Sequence, residues 1–218
     1  MVMNKINLFI TEANGNLSNK RTLILNAIKK AEEYTFPKLK IDWDIDIVIT
    51  NRVYEFVIPE DGVGGRSYAS DFILISINED KITENILAET LVHELCHAAR
   101  WGKNDEWMNT LFDGMISEGI ATYFESEFVK DKAEKQLFLK TVVERSNEEN
   151  EKVYEELKGQ FKNEGYDYQT IFFNGNDKLP RWSGYSLGYL IVKKYLEKSG
   201  KTIEEAFADK YADIEAAL

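Results

Sequence analysis

Apolar residues in this chain keep two different rhythms, and the change from one to the other divides it. From Leu17 to Tyr34 the apolar positions Leu23, Ile24, Ala27, Ile28 and Ala31 recur at three- and four-residue spacings, which predicts an amphipathic helix with Ser18 as its N-cap and Pro37 as its stop. Trp43, Ile45, Ile47 and Ile49 then alternate with Asp42, Asp44, Asp46 and Val48, the period of a half-buried strand. Val53 to Ile58 is a second strand candidate, and Asp61 to Gly65 reads as a turn. Ser70 to Ile77 predicts a third strand, with Phe72, Leu74 and Ser76 on one face and Ile73, Ile75 and Ile77 on the other. It leads directly into a long helical stretch, Thr83 to Trp101.

Beyond Trp101-Gly102 the pattern is helical throughout. The chain turns back into a second helix around Ser117 to Glu125. The charge-dense stretch Lys130 to Glu164 carries Leu137, Val142, Val143, Val153, Leu157 and Phe161 as one or two amphipathic helices. Gly165 and the aromatic-rich run Tyr166 to Phe173 lead into the polar turn Asn174 to Asp177. A helix over Gly184 to Lys198 ends at Gly200, and Thr202 to Glu205 is a capping box opening a last helical segment. A small sheet followed by helices is an α+β pattern. With no repeats or low-complexity linkers, the expectation is a single compact unit: residues 1–129 carry the first helix, the sheet and the central helices, and residues 130–218 form a mostly helical C-terminal lobe.

Composition narrows the partners. The 218 residues, 44% hydrophobic and 12% aromatic, are enough to bury a core. A net charge of -11 argues against a nucleic-acid backbone or an anionic membrane surface. The early apolar run, Ile6 to Ile10, is broken by Asn7 and is too short for a signal-peptide core, and no later segment reaches the length of a membrane span. A single cysteine allows no internal disulfide, so the expected location is cytoplasmic.

The chain has two histidines, and both fall in His93-Glu94-Leu95-Cys96-His97. On a helix, positions i and i+4 share a face, so the two imidazoles can aim at a single tetrahedral metal ion, with Glu94 placed to act on a water without being a ligand. Two histidines and a glutamate would fall in this arrangement by chance about once in a thousand. Zinc suits these donors best. The third ligand must be a carboxylate or Cys96, and Cys96 points away from the side where the imidazoles converge. Glu118, 21 residues beyond His97 on the return helix, is the better candidate, and Asp113 is its rival. Small Gly119 and Ala121 permit a close helix contact there, and Glu125, two turns on, is a candidate partner for an imidazole N–H.

HELCH followed by SEGIA resembles the gluzincin class of zinc metallopeptidases, whose ligands are two His and one Glu, as in thermolysin. HELCHAARW, TLFDGMISEGIATYFE and RWSGYSLGYLIVKKYLEKSG, in that order, are similar to a little-characterised family of predicted zinc-dependent proteases known mainly as a domain of unknown function. The similarity runs from roughly Asp71 to Gly200. It implies a zincin-like fold, a small twisted sheet packed on the helix of the motif, with zinc on His93, His97 and Glu118 and hydrolysis of peptide bonds through a metal-bound water with Glu94 as general base. Thr122 departs from the pattern, since thermolysin-like enzymes carry an Asp four residues after the ligand Glu. In peptidases built this way the strand before the helix lies at the sheet edge and pairs with an extended substrate. A donor on the oxyanion side is also needed, for which Tyr185 is the candidate, with Tyr189 and Arg181 as alternatives. The competing expectation is a zinc-binding regulatory or scaffolding module without general peptidase activity.

Overall fold

In the computed structural model, the described residues are 6–104, 107–130, 132 and 134–217. Met1 to Lys5, and Asp131 and Ala133 of the charge-dense stretch, lie outside them. The chain divides into two compact units, residues 1–103 with 127–137 and residues 104–126 with 138–218. Among the described residues no helix is long and apolar enough to cross a membrane.

The first unit is a four-stranded sheet with two helices. Strands β1 (Ile6–Ile10), β2 (Ile45–Thr50), β3 (Val63–Ala69) and β4 (Phe72–Ile77) are ordered β1-β2-β4-β3, with β1, β2 and β4 parallel and β3 antiparallel to β4. The parallel pair β1 and β2 is joined through helix α1 (Arg21–Leu39), as a parallel connection requires. Ile47 pairs with Ile73 and Ile49 with Ile75, so the period-two pattern puts the isoleucines of both strands on one fully buried face. Helix α2 (Glu84–Trp101) packs against β3 and β4, and α1 packs against α2. The result is the α+β fold expected, with the sheet on the helix that carries both histidines.

Several local expectations change. The strand that feeds α2 is β4, and it is an inner strand between β2 and β3; the edge on that side is β3. Gly64-Gly65, read as a turn, lies within β3, whereas Val53 to Ile58 forms turns and contributes one bridge, Ile58 to Val63. Ile6 to Ile10 is the outer strand on the other side. Pro37 does not stop α1: the helix loses the one hydrogen bond that the Pro37 nitrogen cannot donate and runs on to Leu39, after which Lys40 takes the left-handed conformation at φ 52°. Ser18 opens a short 3₁₀ turn, and α1 begins at Arg21 without a side-chain cap.

Helix α2 starts as its sequence suggests. The Thr83 hydroxyl accepts from Ile86 N–H at 3.3 Å, and Glu84 in the first turn meets Lys30 of α1 at 2.5 Å, where an acidic group suits the helix dipole. Every residue from Leu87 to Arg100 is buried. A helix buried all round is a central element, and every polar group on it needs a partner or a ligand.

The second unit is helical: α3 (Leu111–Phe128) as far as Ser126, α4 (Leu137–Val143) from Phe138, α5 (Asn147–Leu157), α6 (Ser183–Ser199), α7 (Ile203–Ala206) and α8 (Tyr211–Ala217). The Ser146 and Thr202 capping boxes open α5 and α7, and Gly200 closes α6 at φ 71°. Between α5 and α6 the run Gln169–Asn174 is π-helical, a rare winding that is frequent at functional sites. Helices α3 and α6 meet backbone to backbone: a Cβ on Gly119 would stand 2.4 Å from the Gly188 carbonyl, and one on Gly188 would stand 2.0 Å from Met115 O.

Candidate active site

In the first unit, one turn of α2 brings the two imidazoles together. His93 Nε2 and His97 Nε2 are 3.2 Å apart, both residues are buried, and the rings meet edge-on at 65°. At zinc–nitrogen lengths of about 2.0–2.1 Å, two nitrogens at that 3.2 Å separation subtend roughly 100° at the ion, near the tetrahedral angle. The pair fits zinc without rearrangement of the helix.

Glu94, 6% exposed, lies under the edge strand. The Ser67 hydroxyl donates to the Glu94 carbonyl at 2.6 Å, tying β3 to the helix at this residue. Gly65 passes so close that a Cβ there would stand 2.4 Å from Glu94 Cγ and 2.8 Å from Oε1. That approach explains a glycine in mid-strand, where it otherwise weakens pairing.

In the second unit, Glu118 is buried on α3 and accepts a hydrogen bond at Oε1 from the Tyr168 hydroxyl at 2.9 Å. Tyr168 is half-buried as a residue, yet its phenol sits deep: burial first, and the Glu118 carboxylate second, push its pKa well above the ordinary tyrosine value. Neighbouring Tyr166 is pushed up to about 12 by burial and then by Glu118 and Asp113. Tyr185, at the start of α6 as expected, is buried against Phe138 at 4.8 Å and Phe172 at 5.3 Å, and is hydrogen-bonded to Tyr168. Tyr168 carries no signal in the sequence beyond its place in an aromatic-rich run.

Other candidates take structural places. Asp113 and Thr110 cap the start of α3 reciprocally, at 3.1 and 3.2 Å, so the rival ligand is a helix-capping group. Cys96, the one cysteine of the sequence, is buried on α2. Glu125 is buried, 1% exposed, and Thr122 is fully buried with no partner for its hydroxyl among the described residues. Tyr189 is stacked on Tyr123 at 5.5 Å, and the Arg181 guanidinium lies 4.3 Å over the Trp182 ring.

Among the described residues, the His93 and His97 imidazoles of the first unit and the Glu118 carboxylate of the second are each of a type that ligates metal ions. Two imidazoles one helical turn apart with a glutamate directly after the first, on an α+β scaffold, are the donor pattern of a candidate metalloprotein. The chain belongs to the family described as predicted Zn-dependent protease (DUF2268), which matches residues 24–216. No curated protein and no solved structure matches it.

Proposed function

We propose that this protein is a zinc-dependent metallopeptidase in which His93, His97 and Glu118 hold the ion, Glu94 is the general base and Tyr185 is the oxyanion donor. The observation that carries the reading is the buried imidazole pair, 3.2 Å apart at Nε2, with Glu94 beside it beneath β3. Bound there, zinc supplies Lewis-acid polarisation of a carbonyl and lowers the pKa of a water to about 7. Glu94 takes the proton of the attacking water as the C–O bond forms and delivers it to the amide nitrogen as the C–N bond breaks. Tyr185 donates to the oxyanion.

The substrate in this reading is a peptide or protein chain, with no role for nucleic acid or membrane, and the setting is cytoplasmic. The β3 edge, tied to α2 through Ser67, offers the backbone groups that an extended peptide needs for strand addition. Zinc-loaded protein is expected to cut a diverse peptide library, to lose the activity to a chelator and to regain it with zinc. Tight zinc binding without any cut peptide would favour the regulatory or scaffolding module instead.

Gly65→Ala tests the contact over the base. The new Cβ forces Glu94 to shift, and misplacing a catalytic group by about 1 Å can cost up to ~100-fold. Turnover should fall roughly 10- to 100-fold with zinc content unchanged. Equal turnover in the variant would show that Glu94 needs no such placement.

A further inference from the structure

Resting on the zinc reading above, we infer that Tyr168 is a positioning residue for Glu118, its phenol fixing the carboxylate through Oε1 so that Oε2 is presented to the metal. A phenol has one proton, and that of Tyr168 is spent on Glu118 at 2.9 Å.

The backbone holds Tyr168 in this pose. It immediately precedes the π-helical run, whose wide turn is closed by Gly175 N–H donating to Thr170 O at 2.9 Å. The Asp167 carboxylate accepts from Thr170 N–H at 3.0 Å and fixes the entry to that turn. Phe172, fully buried in the π turn, stacks on the Tyr168 ring with centroids 4.6 Å apart and planes at 22°. A glutamate side chain has three rotatable bonds, and ordering it on binding costs side-chain entropy. A donor already in place removes much of that cost, and outer partners of this kind are worth about 10- to 100-fold in metal affinity.

The test is zinc affinity by competition with a chromophoric chelator, together with the visible spectrum of the cobalt-substituted protein. It compares wild type, Tyr168→Phe, Tyr166→Phe, Tyr185→Phe and Glu118→Gln. Tyr168→Phe keeps the ring on Phe172 and removes the donor, so affinity should fall about 10- to 100-fold and the cobalt bands should move. Tyr166→Phe, the same change 6.3 Å away in the same aromatic cluster, should leave both readouts alone. Tyr185→Phe leaves the Tyr168 to Glu118 bond in place and should weaken zinc by less than Tyr168→Phe.

If Glu118→Gln binds zinc as wild type does, the ligand assignment fails and this inference goes with it. If Glu118→Gln loses zinc while Tyr168→Phe matches wild type in affinity and cobalt spectrum, the ligand stands and the positioning role is overturned. Equal losses in Tyr166→Phe and Tyr168→Phe would also overturn it, since the hydroxyl would not be what matters.

Discussion

Glu94→Gln is expected to abolish peptide cleavage while leaving zinc binding intact. Glutamine has nearly the same shape, so Ser67 can still bond the residue 94 carbonyl and β3 can still pass over the side chain at Gly65. What is lost is a group able to take a proton. General-base catalysis is worth about 10²- to 10⁴-fold, and that fall is expected in the single-turnover rate on peptides cut by the wild-type protein. Zinc stoichiometry should not change, because the imidazole pair is untouched and the charge on Glu94 is not a ligand. Cleavage within a few-fold of wild type would remove Glu94 from the base role. Loss of zinc along with activity would make residue 94 part of the metal's own coordination.

The parts of this site that were legible in the sequence are those set by periodicity or by rare residues. Two histidines four apart on a helical pattern leave little freedom, and the 3.2 Å imidazole pair follows from helix geometry alone. Ile73, Ile75 and Ile77 gave the buried face of β4 by the same logic. The strand β3 was not legible, because two glycines in succession signal a turn in any local reading. They are needed for close approach, to Phe56 at Gly64 and to Glu94 at Gly65. Which strand lies at the edge is likewise a property of pairing and is not written in one strand's composition. Tyr168 went unread for a related reason: a π-helical turn has no sequence period to recognise, and the donor reaches Glu118 across 50 residues of chain. Gly119 was singled out for a close helix contact, and the partner it meets within the second unit is Gly188 of α6.

That contact is where the largest loss of stability is expected. Gly188→Ala places a Cβ 2.0 Å from Met115 O and 3.2 Å from Gly119 Cα. Both neighbours are helix backbone, so no rotamer change relieves the overlap and the axes of α3 and α6 have to separate. Overpacking of this kind costs about 1–3 kcal/mol, and the upper end applies when backbone must move. Alanine returns up to about 1 kcal/mol through its better helix propensity. A net loss of about 2 kcal/mol remains, which for a protein of this size lowers Tm by roughly 4–8 °C. Gly159→Ala is the matched comparison: its Cβ would meet nothing within 4 Å, so the substitution should be neutral or slightly stabilising. The functional consequence follows from position. Glu118 directly precedes Gly119 on α3, and Tyr185 stands one turn before Gly188 on α6, so spreading these helices pulls Tyr185 and Glu118 out of register. Gly188→Ala should therefore weaken zinc as well as stability, whereas Gly159→Ala should change neither for the worse. A Gly188→Ala protein that melts at or above wild type would mean that α3 and α6 are not in backbone contact.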